Sequence, residues 1–242
     1  MFTERVAEQA VRVFGQAVTV TEVEVLSARL RRLRLSGDAV RRMDWSPGHK
    51  IKLHVGGGVM RSYTPARVDL EAGWMDVVFY LHGSGPASDW ATAAEVGASS
   101  VFLGPKRSMA GAGEPMAQAL FLGDETTLGL AVALLEALPE GVAVTGAIEL
   151  APEDAPALAA LGLPLHAAPR AGGYGAALLR WLEAAPLPEG MVWLSGEADS
   201  VLTLRDALLA RGLRRSQLRI KPYWSTRGSA HRKTLERTAL RG

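Results

Sequence analysis

The first side chains whose chemistry converges are those of Arg61-Ser62-Tyr63-Thr64-Pro65. On a strand, Arg61 and Tyr63 project to the same side, because successive side chains alternate between faces. A guanidinium placed there can grip a phosphate through two parallel hydrogen bonds, a phenol ring offers a flat face to another ring, and Thr64 can donate from its hydroxyl or its backbone N–H. Taken alone, the string is equally explained by a solvated strand face. A second string, Leu81-His82-Gly83-Ser84-Gly85-Pro86-Ala87-Ser88-Asp89-Trp90-Ala91, reads as a strand, a glycine turn and a helix start. Pro86 falls in the first helical turn, where a missing N–H costs nothing. The N–H groups of Ala87 and Ser88 then point outward at the positive end of the helix dipole, a setting that suits a pyrophosphate. The alternative is a plain helix start, with Trp90 as a core anchor and His82 as a packed, neutral histidine at the strand end.

A third segment, Gly123-Asp124-Glu125-Thr126-Thr127, ends one apolar run and opens another. In open parallel sheets, ligands bind beyond the carboxyl ends of strands at such positions. It is not a G-x-G-x-x-G turn, and two carboxylates there repel a phosphate. Thr126 or Thr127 is left as the plausible donor, with the acidic pair as helix caps.

Composition removes several chemistries. Without cysteine there is no disulfide, thiol redox couple, cysteine-ligated zinc or iron–sulfur cluster, so any electron transfer must use a bound organic cofactor. The histidines at 49, 54, 82, 166 and 231 show no metal-ligand spacing, and no Ser-His-Asp or paired-carboxylate set stands out. Glu4, Arg5, Glu8 and Arg12 break every apolar run near the N-terminus, and the apolar run from Leu128 to Leu138 is short and contains Glu136. The expectation is a soluble, cytoplasmic protein with no membrane partner. A formal net charge of +2 hides an uneven distribution: Arg205–Gly242 carries 11 Lys/Arg and 2 Asp/Glu, a balance of +9 on a remainder of −7. A basic tail on an acidic body points to an anionic partner or to a solvated helical face.

Two textures divide the chain. Up to about Gly104, short alternating runs such as AVTVTEVEVLSA, RLRRLRLSG, HKIKLHVGG and MDVVFYLHG predict antiparallel strands closing into a small barrel. Leu30, Leu33 and Leu35 break strict alternation, so a bulge is expected in that strand. Beyond it, ALFLGD, GVAVTGAIEL, LPLHAAP and MVWLSGE read as strands alternating with the helical runs TLGLAVALLEAL, YGAALLRWLEA and SVLTLRDALLARG, the pattern of a parallel α/β sheet. The expected division is a β-barrel domain over residues 1–107, a linker over 108–115 and an α/β domain with a basic tail over 116–242.

Together the first two strings resemble the siderophore-interacting protein family, flavin-dependent ferric-siderophore reductases of the ferredoxin-reductase superfamily. Gly104-Pro105, Gly123-Asp124-Glu125-Thr126, Trp193-Leu194-Ser195-Gly196-Glu197-Ala198 and Tyr223-Trp224 extend the resemblance in the family's order over roughly Val18–Gly228. It implies an FAD-binding barrel followed by an NAD(P)H-binding domain. Arg61 would hold an FAD phosphate, Tyr63 would stack on the isoalloxazine, Thr64 would sit near N5, and His82, Gly85, Ala87 and Ser88 would belong to the pyrophosphate motif. Asp124, Thr126 and Thr127 would lie at the nicotinamide nucleotide, with Gly196 and Glu197 approaching from the other side, and Arg170 would meet a 2′-phosphate, which favours NADPH. Tyr223 and Trp224 would cover the flavin ring or pack in the core.

The implied substrate is a ferric siderophore or other anionic iron(III) chelate, drawn to Lys52, Lys106, Arg227 and Lys233, with Lys50, Arg107, His231 and Arg232 nearby in sequence. Two departures stand out: Pro65-Ala66 precedes Arg67 where the family proceeds directly to arginine, and Pro222-Tyr223-Trp224-Ser225 replaces Gly-Tyr-Trp-Arg. The competing readings are a general NAD(P)H-flavin reductase serving a ferredoxin or quinone, and a non-enzymatic flavin or siderophore carrier. Nucleic-acid binding through the tail lacks any accompanying recognition signature.

Overall fold

The computed structural model describes residues 14–241; the charge-interrupted N-terminal stretch over 1–13 and Gly242 lie outside them. The chain divides into two compact units between Ser108 and Met109.

The first unit is a seven-stranded antiparallel sheet. Its strands are β1 (Gln16–Ser27), β2 (Leu30–Ser36), β3 (Lys50–His54), β4 (Met60–Tyr63), β5 (Arg67–Asp69), β6 (Trp74–Tyr80) and β7 (Ser99–Lys106), in the order β4-β3-β7-β1-β2-β6-β5. Alternate residues, among them Leu33 and Leu35, Ile51 and Leu53, Met75, Val77 and Phe79, and Phe102, meet in one buried cluster. A single core fed by both halves of the sheet requires the sheet to curl. The rings of Tyr63 on β4 and Phe79 on β6 lie 4.6 Å apart although their strands are far apart in the sheet order, so the fold is barrel-like. The helix α1 (Asp38–Arg41) and the helix α2 (Pro86–Ala93) add Ala39, Val40 and Ala91 to this core.

The bulge expected in β2 is on its partner. The β1 register slips between Val20 and Glu22 and again between Val25 and Ser27, while β2 runs uninterrupted opposite. β2 pairs β6 without a shift, so Leu30 lies on the opposite face from Leu33 and Leu35; it is fully buried but outside their cluster. Outside the barrel, the buried Asp76 is held by Arg32 at 2.9 Å and by Arg34 at 2.8 Å, and Arg34 lies over the Trp74 ring at 3.8 Å.

The second unit is a parallel sheet of β8 (Gln118–Asp124), β9 (Ala143–Leu150), β10 (His166–Pro169), β11 (Met191–Glu197) and β12 (Leu218–Trp224), ordered β10-β9-β8-β11-β12. The order runs from β8 to one edge and resumes from β8 to the other, which puts the topological switch point between β8 and β11. Its helices are α3 (Leu128–Leu135), α4 (Pro156–Ala160), α5 (Ala176–Ala184), α6 (Ala198–Ala210) and α7 (Ser229–Arg241). The stretch read as a linker packs onto this unit: Met109 and Ala112 are buried, the Trp193 indole N–H donates to the Ala110 carbonyl at 3.0 Å, and Glu114 pairs with Arg219 at 2.7 Å. Among the described residues no helix is long and apolar enough to cross a membrane.

Candidate functional site

In the barrel unit the first two strings flank one residue. The Phe79 ring lies 4.6 Å from Tyr63 at the end of β4 and 5.6 Å from Trp90 on α2. Register places Arg61 opposite Leu53 and Tyr63 opposite Ile51, so both point to the inner side of an edge strand. Tyr63 is half-buried against the core, and burial pushes its phenol up, opposed by the Arg61 charge. Arg61 is exposed; its side-chain hydrogen bond is from Nη1 to the carbonyl of the adjacent Met60 at 3.2 Å. Thr64 is buried.

Gly83, at φ +101°, turns the chain into α2 through a conformation that favours glycine, with open space where a side chain would stand. Asp89 is the first to close a helical turn, its N–H donating to the Gly85 carbonyl at 2.8 Å, so the N–H groups of Ala87 and Ser88 remain for an outside acceptor. Ser88 is buried, and its hydroxyl has no hydrogen-bond partner among the described residues. Asp89 Oδ2 accepts the Gly85 N–H at 3.3 Å in the same turn, and the unpaired Ser88 hydroxyl at this helix start fits a phosphate-bearing ligand. His82 is exposed rather than packed, its ring 6.2 Å from that of Tyr80, because the turn carries it off the strand end. Replacing Ser88 with Ala removes a buried group that lacks a partner, so the cofactor-free protein should gain up to about 1 kcal/mol while its affinity for a flavin nucleotide falls. Thermal melts with and without the nucleotide should therefore move in opposite directions; a parallel shift would contradict the phosphate placement.

At the carboxyl edge of the parallel sheet the structure gathers Asp124, Gly196, Glu197 and Trp224, but in a structural capacity. Asp124 Oδ1 accepts the Thr126 N–H at 3.0 Å and its hydroxyl at 2.5 Å, and Oδ2 accepts the Glu197 N–H at 2.8 Å and the Trp224 indole N–H at 2.9 Å. These bonds occupy its acceptor positions, leaving none for a nucleotide. Burial, with Glu125 alongside, pushes its carboxyl up to about 6 against the hydrogen bonds that favour the charge. Gly196 adopts φ +127°, and a Cβ there would lie 2.5 Å from Asp124 Oδ2, so only glycine lets the two loops meet. The Thr126 donors are taken by Asp124, and the fully buried Thr127 donates its hydroxyl to the Asp124 carbonyl at 2.7 Å, so neither side chain is free to donate outward.

Glu197 caps α6 through the Ser200 N–H at 3.0 Å and also accepts the Thr226 N–H at 3.3 Å. Glu149 accepts the N–H groups of Gly175 at 2.8 Å and Ala177 at 3.0 Å, capping α5. The helical starts after β8, before α5 and after β11 are thus closed from within by a carboxylate, while the start of α4 has no side-chain cap. Arg170 does not project outward for a 2′-phosphate: it pairs with the buried Glu125, lies 3.7 Å from the buried Glu149, and covers the Tyr174 ring at 4.6 Å. Those carboxylates hold its guanidinium further toward the charged form, against the opposing effect of its burial. Trp224 is half-buried and meets Tyr174 edge-on at 4.8 Å; Tyr223 is half-buried beside it on β12. A pocket of about 230 Å³ opens beside Tyr174, lined also by Glu197, Asp199, Ser200, Thr203 and Thr226. Glu149, Tyr174 and Asp199 were not singled out by the sequence; an acid closing the apolar strand GVAVTGAIEL was the available signal for the first.

The basic tail is largely engaged within its own unit. Arg211 donates to the Leu182 and Ala185 carbonyls at the end of α5, Lys221 and Arg232 both pair with Glu236, and Asp199 receives His231 at 3.0 Å and Arg227 at 3.5 Å. Arg227 and Lys233 are nonetheless exposed. In the barrel unit Lys50 and Lys106 stand opposite each other on the β3–β7 ladder, with the exposed Lys52 on the same outer face.

The family model described as "Siderophore-interacting protein" matches residues 116–227, and that described as "Siderophore-interacting FAD-binding domain" matches 56–109. Among solved structures, the chain is similar to a siderophore utilization protein from T. fusca, with 27% identity over 89% of this chain and 94% of that one and a TM-score of 0.74. It is also similar to the siderophore-interacting protein from Aeromonas hydrophila, with 24% identity over 94% and 98% and a TM-score of 0.75. The ferredoxin reductase in carbazole 1,9a-dioxygenase shares the fold at 21% identity, over 87% and 69%, with a TM-score of 0.72. No curated protein matches the sequence.

Proposed function

Since the chain belongs to the siderophore-interacting protein family, with an FAD-binding domain in its first unit, we propose that it reduces ferric siderophores with electrons from a nicotinamide nucleotide. The observation that carries this reading is the pairing at the barrel end: an exposed Arg61 and a half-buried Tyr63 on one side of Phe79, and on the other a helix start with an unpaired, buried Ser88 hydroxyl. The residues fit FAD. Arg61 would hold a phosphate by charge, Ala87 and Ser88 would donate to the pyrophosphate, and Tyr63, backed by Phe79, would offer a face to the ring with Thr64 alongside. A bound flavin accepts two electrons from a nicotinamide and passes them on singly, which a ferric acceptor requires. The protein's part is to bind, orient and shield; no side chain need serve as nucleophile or base.

For the chelate, the reading rests on the outer face of β3 and β7. Like charges directly opposite on a ladder disfavour the pairing, yet Lys50 faces Lys106 there, and Lys52 extends the positive face. Such a face attracts a bulky anion. Replacing Lys52 and Lys106 with Gln should raise KM for an anionic ferric siderophore roughly three- to tenfold at low salt and leave flavin reduction by NADH unchanged. The difference should shrink as ionic strength rises and the Debye length falls from about 10 Å at 0.1 M. A neutral chelate should show little of it. Flavin reduction with no ferric-chelate turnover in the wild-type protein would identify a general flavin reductase instead.

A further inference from the structure

The carboxyl edge of the parallel sheet is where a nicotinamide nucleotide would lie, and its charges are unevenly matched. The ends of β8, β9 and β11 and the residues just beyond carry Asp124, Glu125, Glu149, Glu197 and Asp199, whereas the cations following β10 and β12 include Arg170 and Arg227. Arg170 is held by Glu125 and Glu149, while the largely exposed Arg227 has Asp199 at 3.5 Å. We propose that this unit selects NADH over NADPH, with Arg170 locked between Glu125 and Glu149 and Asp199 at the neighbouring pocket together rejecting a 2′-phosphate. The inference rests on the nicotinamide reading above and adds the coenzyme's identity to it.

NADPH differs from NADH by one phosphate, which brings close to two negative charges near neutral pH. Arg170 bonds Glu125 through Nη2 and lies 3.7 Å from Glu149; drawing it outward to that phosphate would pull its charge away from two carboxylates that are 2% and 1% exposed. The helix starts beside the pocket offer a poor substitute, because Glu149 accepts the Gly175 and Ala177 N–H groups and Glu197 accepts that of Ser200. The pocket beside them is lined by the Tyr174 ring, the hydroxyls of Ser200, Thr203 and Thr226, and the carboxylates of Glu197 and Asp199. That lining suits an uncharged ribose, whose 2′-hydroxyl can donate to a carboxylate, and opposes a phosphate at the same carbon. Asp199 is 40% exposed and is the carboxylate of this pair that solvent reaches most.

The test is calorimetric titration of the oxidised, FAD-loaded full chain with NAD⁺ and with NADP⁺. Neither nucleotide can reduce an oxidised flavin, so the heats report binding alone. NAD⁺ should bind at least about tenfold more tightly than NADP⁺, and the ratio should narrow as salt is added. Glu125→Gln releases Arg170 from one partner and should bring the ratio down about threefold or more by strengthening NADP⁺. Should that variant fail to fold, Asp199→Asn at the partly exposed site should change the ratio in the same direction. NADP⁺ binding as tightly as NAD⁺ to the wild-type chain would overturn the selectivity, and an unchanged ratio in a folded variant would overturn the role given to its residue. Binding of neither nucleotide would overturn the nicotinamide reading itself, and the inference with it.

Discussion

Arg170→Ala should unfold the second unit at markedly lower temperature rather than merely change its coenzyme preference. Glu125 and Glu149 are almost wholly buried, and Arg170 supplies the positive charge between them while covering Tyr174. Deleting one member of a buried ionic group leaves the others without compensation and costs about 3–5 kcal/mol. That is a large share of the roughly 5–15 kcal/mol by which folded domains are stable. Arg170→Lys should recover only part of the loss, since a single ammonium lacks the planar fork that reaches two carboxylates. Differential scanning calorimetry reads both variants. A wild-type melting temperature for Arg170→Ala, accompanied by weakened NADP⁺ binding, would show that the arginine serves a nucleotide after all.

Arg61→Ala should have the converse signature, an intact fold that loses its flavin. The side chain is exposed and, among the described residues, bonds its neighbour's carbonyl, so its removal should leave the melting temperature of the cofactor-free protein within experimental scatter. A charge-assisted bond to a phosphate is worth about 1.5–3 kcal/mol, which corresponds to a roughly ten- to hundredfold weaker hold on FAD. The protein should emerge from purification with sub-stoichiometric flavin, and fluorescence titration of the apoprotein should give the shifted Kd. Full occupancy with unchanged affinity would refute the phosphate assignment.

The contrast between these two arginines shows what local sequence carries. Arg61 sits with Tyr63 and Thr64 in one short string, and strand alternation alone puts Arg61 and Tyr63 on one side, as the register confirms. Arg170 follows a strand in the same suggestive way, but its partners lie 45 and 21 residues back in the chain, at the ends of β8 and β9. Only the sheet order brings three strand ends together, so an arginine that seemed to face solvent is committed within the fold. Part of the +9 tail is committed in the same way, since Arg219 finds Glu114 across 105 residues.

Period-two patterning reveals β1, β2 and β3 because one face of each meets the barrel core, whereas β6 is buried on both faces and reads as a near-continuous apolar run. It is weak in β4 and β5, short edge strands, and in β12, where Arg219, Lys221 and Pro222 mark an edge of the parallel sheet. The bulge escaped correct placement because broken alternation in one strand does not say which of two paired strands holds the extra residue. Asp124 and Glu197 end β8 and β11, and whether a carboxylate there meets a ligand or caps a helix depends on donors supplied by β11, β12 and α6.

The most direct test of the flavin-reductase account is the visible absorption spectrum of the purified protein under anaerobic conditions, before and after NADH, and again after a ferric siderophore is added. The protein should be yellow with bound flavin, bleach on NADH, and regain its colour as ferrous iron appears. A protein that refuses FAD, or one whose bound flavin stays oxidised under excess NADH and NADPH, would contradict it.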